Sequence, residues 1–180
     1  MASNNKKMSI HYSSKSNEWD TPQDFYNKLN ARFSFTLDPC CTPESAKCSN
    51  YYTEEDDGLS RSWAGETVFM NPPYGRQISK WIKKAYEESQ HENTTVVCLI
   101  PSRTDTKYWH DYCMKAHEVC FIKGRLRFGN PVTNAEQNPA PFPSAIVVFR
   151  AGYKPVMGGG NYPKIHALKK TGEYSYEHLC

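Results

Sequence analysis

Asn71-Pro72-Pro73-Tyr74 is the stretch whose residue types and spacing best suit chemistry. An amide side chain is followed at once by two prolines, then by an aromatic ring. Proline offers no N–H, so a sheet ladder cannot run through it, and the residue before a proline is held extended. Asn71 therefore ends whatever strand leads into it, and stiff backbone with accepting carbonyls comes next. Such an arrangement suits an exocyclic aromatic amine, such as N6 of adenine. Its lone pair is delocalised into the ring, which makes it a poor nucleophile. Two fixed acceptors, the Asn71 side-chain oxygen and the Pro72 carbonyl, would take both N–H bonds and favour a pyramidal nitrogen. Tyr74 would stack on the base, and a sulfonium methyl donor opposite the nitrogen would complete an in-line transfer. The plainer alternative is a strand closed by a Pro-Pro-Tyr-Gly turn.

The flanking segments have the patterns needed to hold such a site. Thr67-Val68-Phe69-Met70 is a short apolar run fit for a buried strand. After the motif, Ile78, Trp81, Ile82, Ala85 and Tyr86 recur at helical spacing, with Lys83, Lys84, Glu87 and Glu88 on the outer face. That pattern makes Trp81 a core residue. Upstream, Thr21 suits a helix cap and Pro22 the first helical position, with Phe25, Leu29 and Phe33 along one face. Phe35 to Asp38 reads as the first core strand, ending in an acid that either faces a ligand or caps the turn at Pro39. Tyr51-Tyr52 reads as a short strand, and Glu54 to Gly58 as an acidic turn, by default a solvated one. Val96 to Pro101 is a continuous apolar strand fit for a sheet buried on both faces. A helix carrying Tyr108, Trp109 and Tyr112 follows, then strands at Glu118–Ile122 and Ser144–Phe149. Between those two, Arg125 and Arg127 alternate with apolar residues, as on a strand with one wet face.

Alternating strands and helices predict an α/β domain with a mostly parallel sheet and helices on both faces. Ligands of open α/β sheets bind beyond the carboxyl ends of the strands. Asp38 and Asn71 both fall at such ends, which implies one shared site. The 180 residues suit a single domain. Residues 1–18 read as a mobile arm, 19–150 as the domain, and 151–180 as a linker and tail, partly helical around His166 to Lys170. Mean hydropathy is −0.74, and no apolar run reaches the ~20 residues that span a membrane. The seven cysteines are odd in number and scattered, which fits a reducing cytoplasm. Cys40, Cys41 and Cys48 lack the paired spacing of a structural zinc site, so no metal is expected. A net charge of +3 permits a nucleic-acid partner without requiring one. No GxGxxG or phosphate-loop spacing is present.

The ordered blocks Trp19-Asp20-Thr21-Pro22, Leu37-Asp38-Pro39, Tyr51-Tyr52-Thr53, Asp57-Gly58-Leu59, Trp63, Asn71-Pro72-Pro73-Tyr74 and Pro143-Ser144-Ala145 resemble the phage-type DNA N6-adenine methyltransferase family. The Asn-Pro-Pro-Tyr block alone resembles the Asp/Asn-Pro-Pro-Tyr motif of amino-group methyltransferases generally; the set is far more specific. The resemblance implies a Rossmann-like fold ending in an antiparallel strand, S-adenosylmethionine as methyl donor, and DNA as partner, with the target adenine flipped from the duplex. A phage-encoded enzyme of this kind would work in the host cytoplasm. It implies catalytic roles for Asn71, Pro72, Pro73 and Tyr74. It places Trp19, Thr21, Pro22, Asp38, Pro39, Cys40 and Asp57 against the donor, and Arg76, Arg103, Arg125 and Arg127 against nucleic acid. The sequence departs from related methyltransferases after Asp38, where Pro39-Cys40-Cys41-Thr42-Pro43 stands in place of a glycine-rich run. Cytosine N4, RNA and protein glutamine remain alternative acceptors, and a nucleic-acid-binding relic without donor binding is the alternative of another class.

Overall fold

A computed structural model describes residues 19–129, 139–152 and 163–173. The expected arm at 1–18, the stretch 130–138 and the Gly158-Gly159-Gly160 linker lie outside the described residues. The chain builds a mixed α/β structure on one seven-stranded sheet. In chain order the elements are α1 (Gln23–Phe33), β1 (Leu37–Asp38), β2 (Asn50–Tyr51), β3 (Thr67–Met70), α2 (Ile78–Glu88), β4 (Thr95–Pro101), α3 (Lys107–Asp111), a 3₁₀ turn (Cys113–Lys115), β5 (Glu118–Ile122), β6 (Ser144–Arg150) and β7 (Lys164–Leu168). The strand order is β2-β1-β3-β4-β6-β5-β7. Only β6 runs against the others; it lies between β4 and β5 and is antiparallel to both.

Register and ring contacts show how the layers stack. Phe69 of β3 meets Tyr26 of α1 edge-on at 5.1 Å, and Phe69 pairs with Val97, which pairs with Val148. Phe149, one residue along β6, meets Tyr86 of α2 at 6.0 Å. Successive residues of a strand point to opposite faces, so α1 and α2 cover opposite faces of the sheet. This is why β4 is buried from Val96 to Pro101 and reads as an unbroken apolar run. The apolar core faces of both helices are those expected: Phe25, Leu29 and Phe33 of α1, and Ile78, Trp81, Ile82 and Ala85 of α2, are buried. Glu88 departs from the outer face read for it: it is buried, pairing with Lys84 and accepting from the Trp63 N–H.

Three other expectations are corrected. Thr21 does not cap α1: the helix starts at Gln23 with Pro22 at the cap position and no side-chain cap bond. Its hydroxyl is held by a residue fifty positions away, described below. Arg125 and Arg127 do alternate with buried Leu126 and Phe128, but the segment is not a strand. Its backbone is held instead by a single bridge from Gly129 to Asp20 and by the Ala140 N–H donating to the Leu126 carbonyl. The helix expected around His166 to Lys170 is instead β7, which pairs in parallel with β5 from Lys164 to Leu168. Tertiary pairing with an available sheet edge outweighs local propensity there. Among the described residues, no helix is long and apolar enough to cross a membrane.

Candidate active site

β1, β3, β4 and β5 all run in one direction, so their carboxyl ends share an edge of the sheet. Asp38 ends β1, and Asn71 follows β3 immediately. The Pro-Pro turn behind Asn71 is closed by Gly75 N–H donating to the Pro73 carbonyl at 3.0 Å, and Gly75 in turn accepts from Ile78 as α2 begins. The turn is thus pinned between a central strand and a helix. The Pro72 carbonyl accepts no hydrogen bond from another described residue.

The Asn71 carboxamide is oriented by its neighbours. Its Nδ2 donates to the Trp19 carbonyl and to Thr21 Oγ1 at 3.1 Å. Its Oδ1 accepts from the Tyr74 hydroxyl at 2.6 Å. A carbonyl only accepts, so the end of the amide facing Trp19 must be the NH₂. The Tyr74 hydroxyl also lies 3.2 Å from the Leu99 carbonyl of β4. Burial of that hydroxyl pushes its pKa well above the usual phenol value, which keeps it a neutral donor.

The Tyr74 ring is only 7% exposed. Trp19 lies near-parallel to it at 6.5 Å, while Phe142 and Phe128 meet it edge-on at 5.4 and 6.2 Å. Sequence reading missed Phe128 and Phe142. Phe128 had a faint signal, the alternation through Leu126; Phe142, between two prolines, had none.

Asp38 is buried, and its carboxylate accepts from the backbone N–H of Cys40 at 3.4 Å and of Lys47 at 3.1 Å. It therefore closes the loop after β1, as the turn-cap alternative expects. Burial raises its pKa to about 6 even though those N–H groups pull the other way. Burial likewise pushes the Cys40 thiol well above its usual value, opposed in small part by the Asn71 backbone N–H. The cysteine is thus an unreactive neighbour of the Asn71 backbone. Cys41 and Cys48 are also pushed up by burial, and no group of metal-ligating residues occurs among the described residues.

The acidic turn packs directly on β1. A Cβ at Gly58 would stand 2.0 Å from the Pro39 carbonyl oxygen, so only glycine allows the approach. Trp63 Nε1 holds the Gly58 carbonyl at 3.0 Å, and the Trp63 ring stacks on Trp81. Asp56, which sequence reading passed over, braces the turn by accepting from the Thr53 N–H and hydroxyl, both at 2.8 Å. Those bonds lower its pKa. Asp57 is exposed in a left-handed conformation, with no side-chain partner among the described residues.

A family model described as DNA N-6-adenine-methyltransferase (Dam) matches residues 8–174. The chain belongs to this family. The DNA N-6-adenine-methyltransferase of Haemophilus phage HP1 (strain HP1c1) is 31% identical over 160 residues, covering 86% of this chain and 90% of that protein. The DNA N-6-adenine-methyltransferase of Escherichia phage T1 is 30% identical over 110 residues, covering 60% of this chain and 45% of that protein. Within this methyltransferase chain, Arg76, Arg103, Arg125 and Arg127 are all exposed. They follow the carboxyl ends of β3, β4 and β5, so all four leave the sheet at the edge that carries Asn71. An open hollow lined by Glu92, Thr94, Arg150 and Gly152 lies at the opposite edge and holds none of the candidate groups.

Proposed function

We propose that this chain transfers a methyl group from S-adenosylmethionine to N6 of adenine in DNA, and that the target base leaves the duplex to be methylated. The observation that carries the reading is the oriented Asn71 carboxamide beside a Pro72 carbonyl with no partner among the described residues. Together they offer two acceptors at the end of a central strand. Each takes an N–H of the target amine, and the pair strengthens its hold as the nitrogen becomes pyramidal. Removal of the surplus proton needs no dedicated base, since an anilinium-like product is acidic.

The residues at the strand edge fit the donor. Asp57 offers an exposed carboxylate with no partner among the described residues, packed through Gly58 on Pro39, where ribose hydroxyls or an adenine amine would find an acceptor. In this reading Asp38, Pro39 and Cys40, at the end of β1, would line the donor together with Asp57, as would Trp19, Thr21 and Pro22, the first two of which are joined to Asn71 through its Nδ2. Bound there, S-adenosylmethionine supplies an electrophilic methyl group on a sulfonium. The antiparallel β6 between β4 and β5 supports the Rossmann-like methyltransferase reading of the sheet. A base stacked on Tyr74 would take the place of one of its present ring neighbours, and such stacking is worth roughly 1–3 kcal/mol, against an unpairing cost of a few kcal/mol. The arginine edge would then meet phosphates beside the flipped nucleotide.

The test is transfer of labelled methyl to DNA, RNA and protein, followed by nucleoside analysis. Label should appear as N6-methyladenine in DNA. Asn71→Ala should lose about 10²–10³ in kcat with donor binding kept. Label in N4-methylcytosine, RNA or glutamine, or an Asn71→Ala variant with wild-type kcat, would overturn the proposal.

A further inference from the structure

We infer that the Trp19 carbonyl and the Thr21 hydroxyl are positioning groups, which fix the Asn71 carboxamide with its oxygen towards Tyr74 and require an amide, not a carboxylate, at position 71. This rests on Asn71 being an acceptor for the target amine. A primary amide has an accepting end and a donating end of nearly equal size. An unrestrained Asn71 would present NH₂ to the substrate amine part of the time, which places donor against donor. The structure removes that freedom from both ends. Trp19 O and Thr21 Oγ1 receive the NH₂, and the Tyr74 hydroxyl marks the oxygen.

The segment that does this is itself anchored. Gly129 N–H donates to the Asp20 carbonyl at 2.8 Å, and Asp20 pairs with the half-buried Lys47 at 3.0 Å. The Trp19 ring sits in the cluster of Tyr74, Phe128 and Phe142. Thr21 is 2% exposed and stands where a helix cap is expected, yet its hydroxyl makes no cap bond. Among the described residues its hydrogen-bond partner is Asn71. The general motif takes Asp or Asn at its first position; here the neighbours choose. An aspartate at 71 would set a carboxylate oxygen against the Trp19 carbonyl, two acceptors at bonding distance. Only its protonated form restores a donor there.

The experiment measures kcat, KM for DNA, donor Kd by calorimetry, and melting temperature for Thr21→Val, Thr21→Ser, Asn71→Asp and Asn71→Ala. Thr21→Val keeps shape and removes the hydroxyl. It should lower kcat by up to about tenfold, the size of one net hydrogen bond, with KM for DNA unchanged and any change in donor Kd well below that factor. Thr21→Ser should recover most of that loss. Asn71→Asp should be nearly inactive at pH 8, and its kcat relative to wild type should climb as pH falls and the carboxyl gains a proton. Wild-type kcat in Thr21→Val, or a loss that appears as weaker donor binding or as melting alone, would overturn the inference. So would an Asn71→Asp variant that follows the wild-type pH profile. An active Asn71→Ala variant would instead defeat the underlying assignment of Asn71, so the two failures are told apart.

Discussion

The Tyr74 hydroxyl reaches both Asn71 Oδ1 and the Leu99 carbonyl, and it does so from inside the core. A ring kept only for stacking would not need it. Tyr74→Phe should therefore lower stability by roughly 1–2 kcal/mol, the cost of leaving a buried acceptor without a donor, and should lower kcat as the Asn71 oxygen loosens. Melting curves and turnover rates read this directly; wild-type values for both would make the hydroxyl idle and leave the ring as the whole contribution. Asp38 makes a second prediction at this scale. Its folded pKa, about 6, lies above the ordinary 3.8 of the unfolded chain. The folded state thus binds the proton more tightly, and this group's contribution to stability falls as pH rises from about 4 to about 6. The change is on the order of 2–3 kcal/mol. Stability measured across that range should fall less steeply for Asp38→Asn than for wild type. Parallel curves for the two proteins would show that the carboxyl is not held protonated by burial.

Most elements were legible because their burial is two-sided or strictly periodic. β4 is a continuous apolar run since helices cover both faces, and α2 shows its core stripe at spacings of three and four. β7 was not legible. Lys164-Ile165-His166-Ala167-Leu168 is an edge strand in which only Leu168 is buried, so no alternation marks it. Thr21 misled for a related reason: a cap is a local signal, whereas its actual partner, Asn71, is brought near only by the sheet. The same logic left Phe142 unseen. β7 is nevertheless a structural element with consequences. It pairs five residues with β5 and covers the outer edge of that strand. A chain ended after residue 152 would lose that ladder and the burial of Leu168, for a cost of about 3 kcal/mol or more. It would also expose the β5 edge, beside the already exposed Phe121. Lower melting temperature and self-association in light scattering are the expected results; an unchanged, monodisperse protein would make the segment a dispensable tail.

At the scale of the whole molecule, a net charge of +3 gives only weak general attraction for DNA. What the fold adds is placement. Parallel β3, β4 and β5 bring their carboxyl ends to one edge, and the exposed Arg76, Arg103, Arg125 and Arg127 leave from that edge. Arg125 and Arg127 flank Leu126, and Phe128 beyond them packs on both Trp19 and Tyr74. The arginine run is therefore tied to the same aromatic cluster as Asn71 and Tyr74. If these arginines meet phosphates, each removed contact should cut the log–log salt slope of binding by about 0.9. Arg125→Ala with Arg127→Ala should then lower the slope by about 2, while donor binding stays as it was. An arginine that reads a guanine behaves differently: its loss should relax sequence choice at one position, by about 1–3 kcal/mol, with a smaller change in slope. Lys83→Ala is the control, since Lys83 lies on the outer face of α2 and pairs there with Glu87. Binding titrations at several salt concentrations, on sequences that differ at single positions, separate the two roles. A salt slope and sequence preference untouched in the double variant, or lowered equally by Lys83→Ala, would remove this edge from the DNA interface.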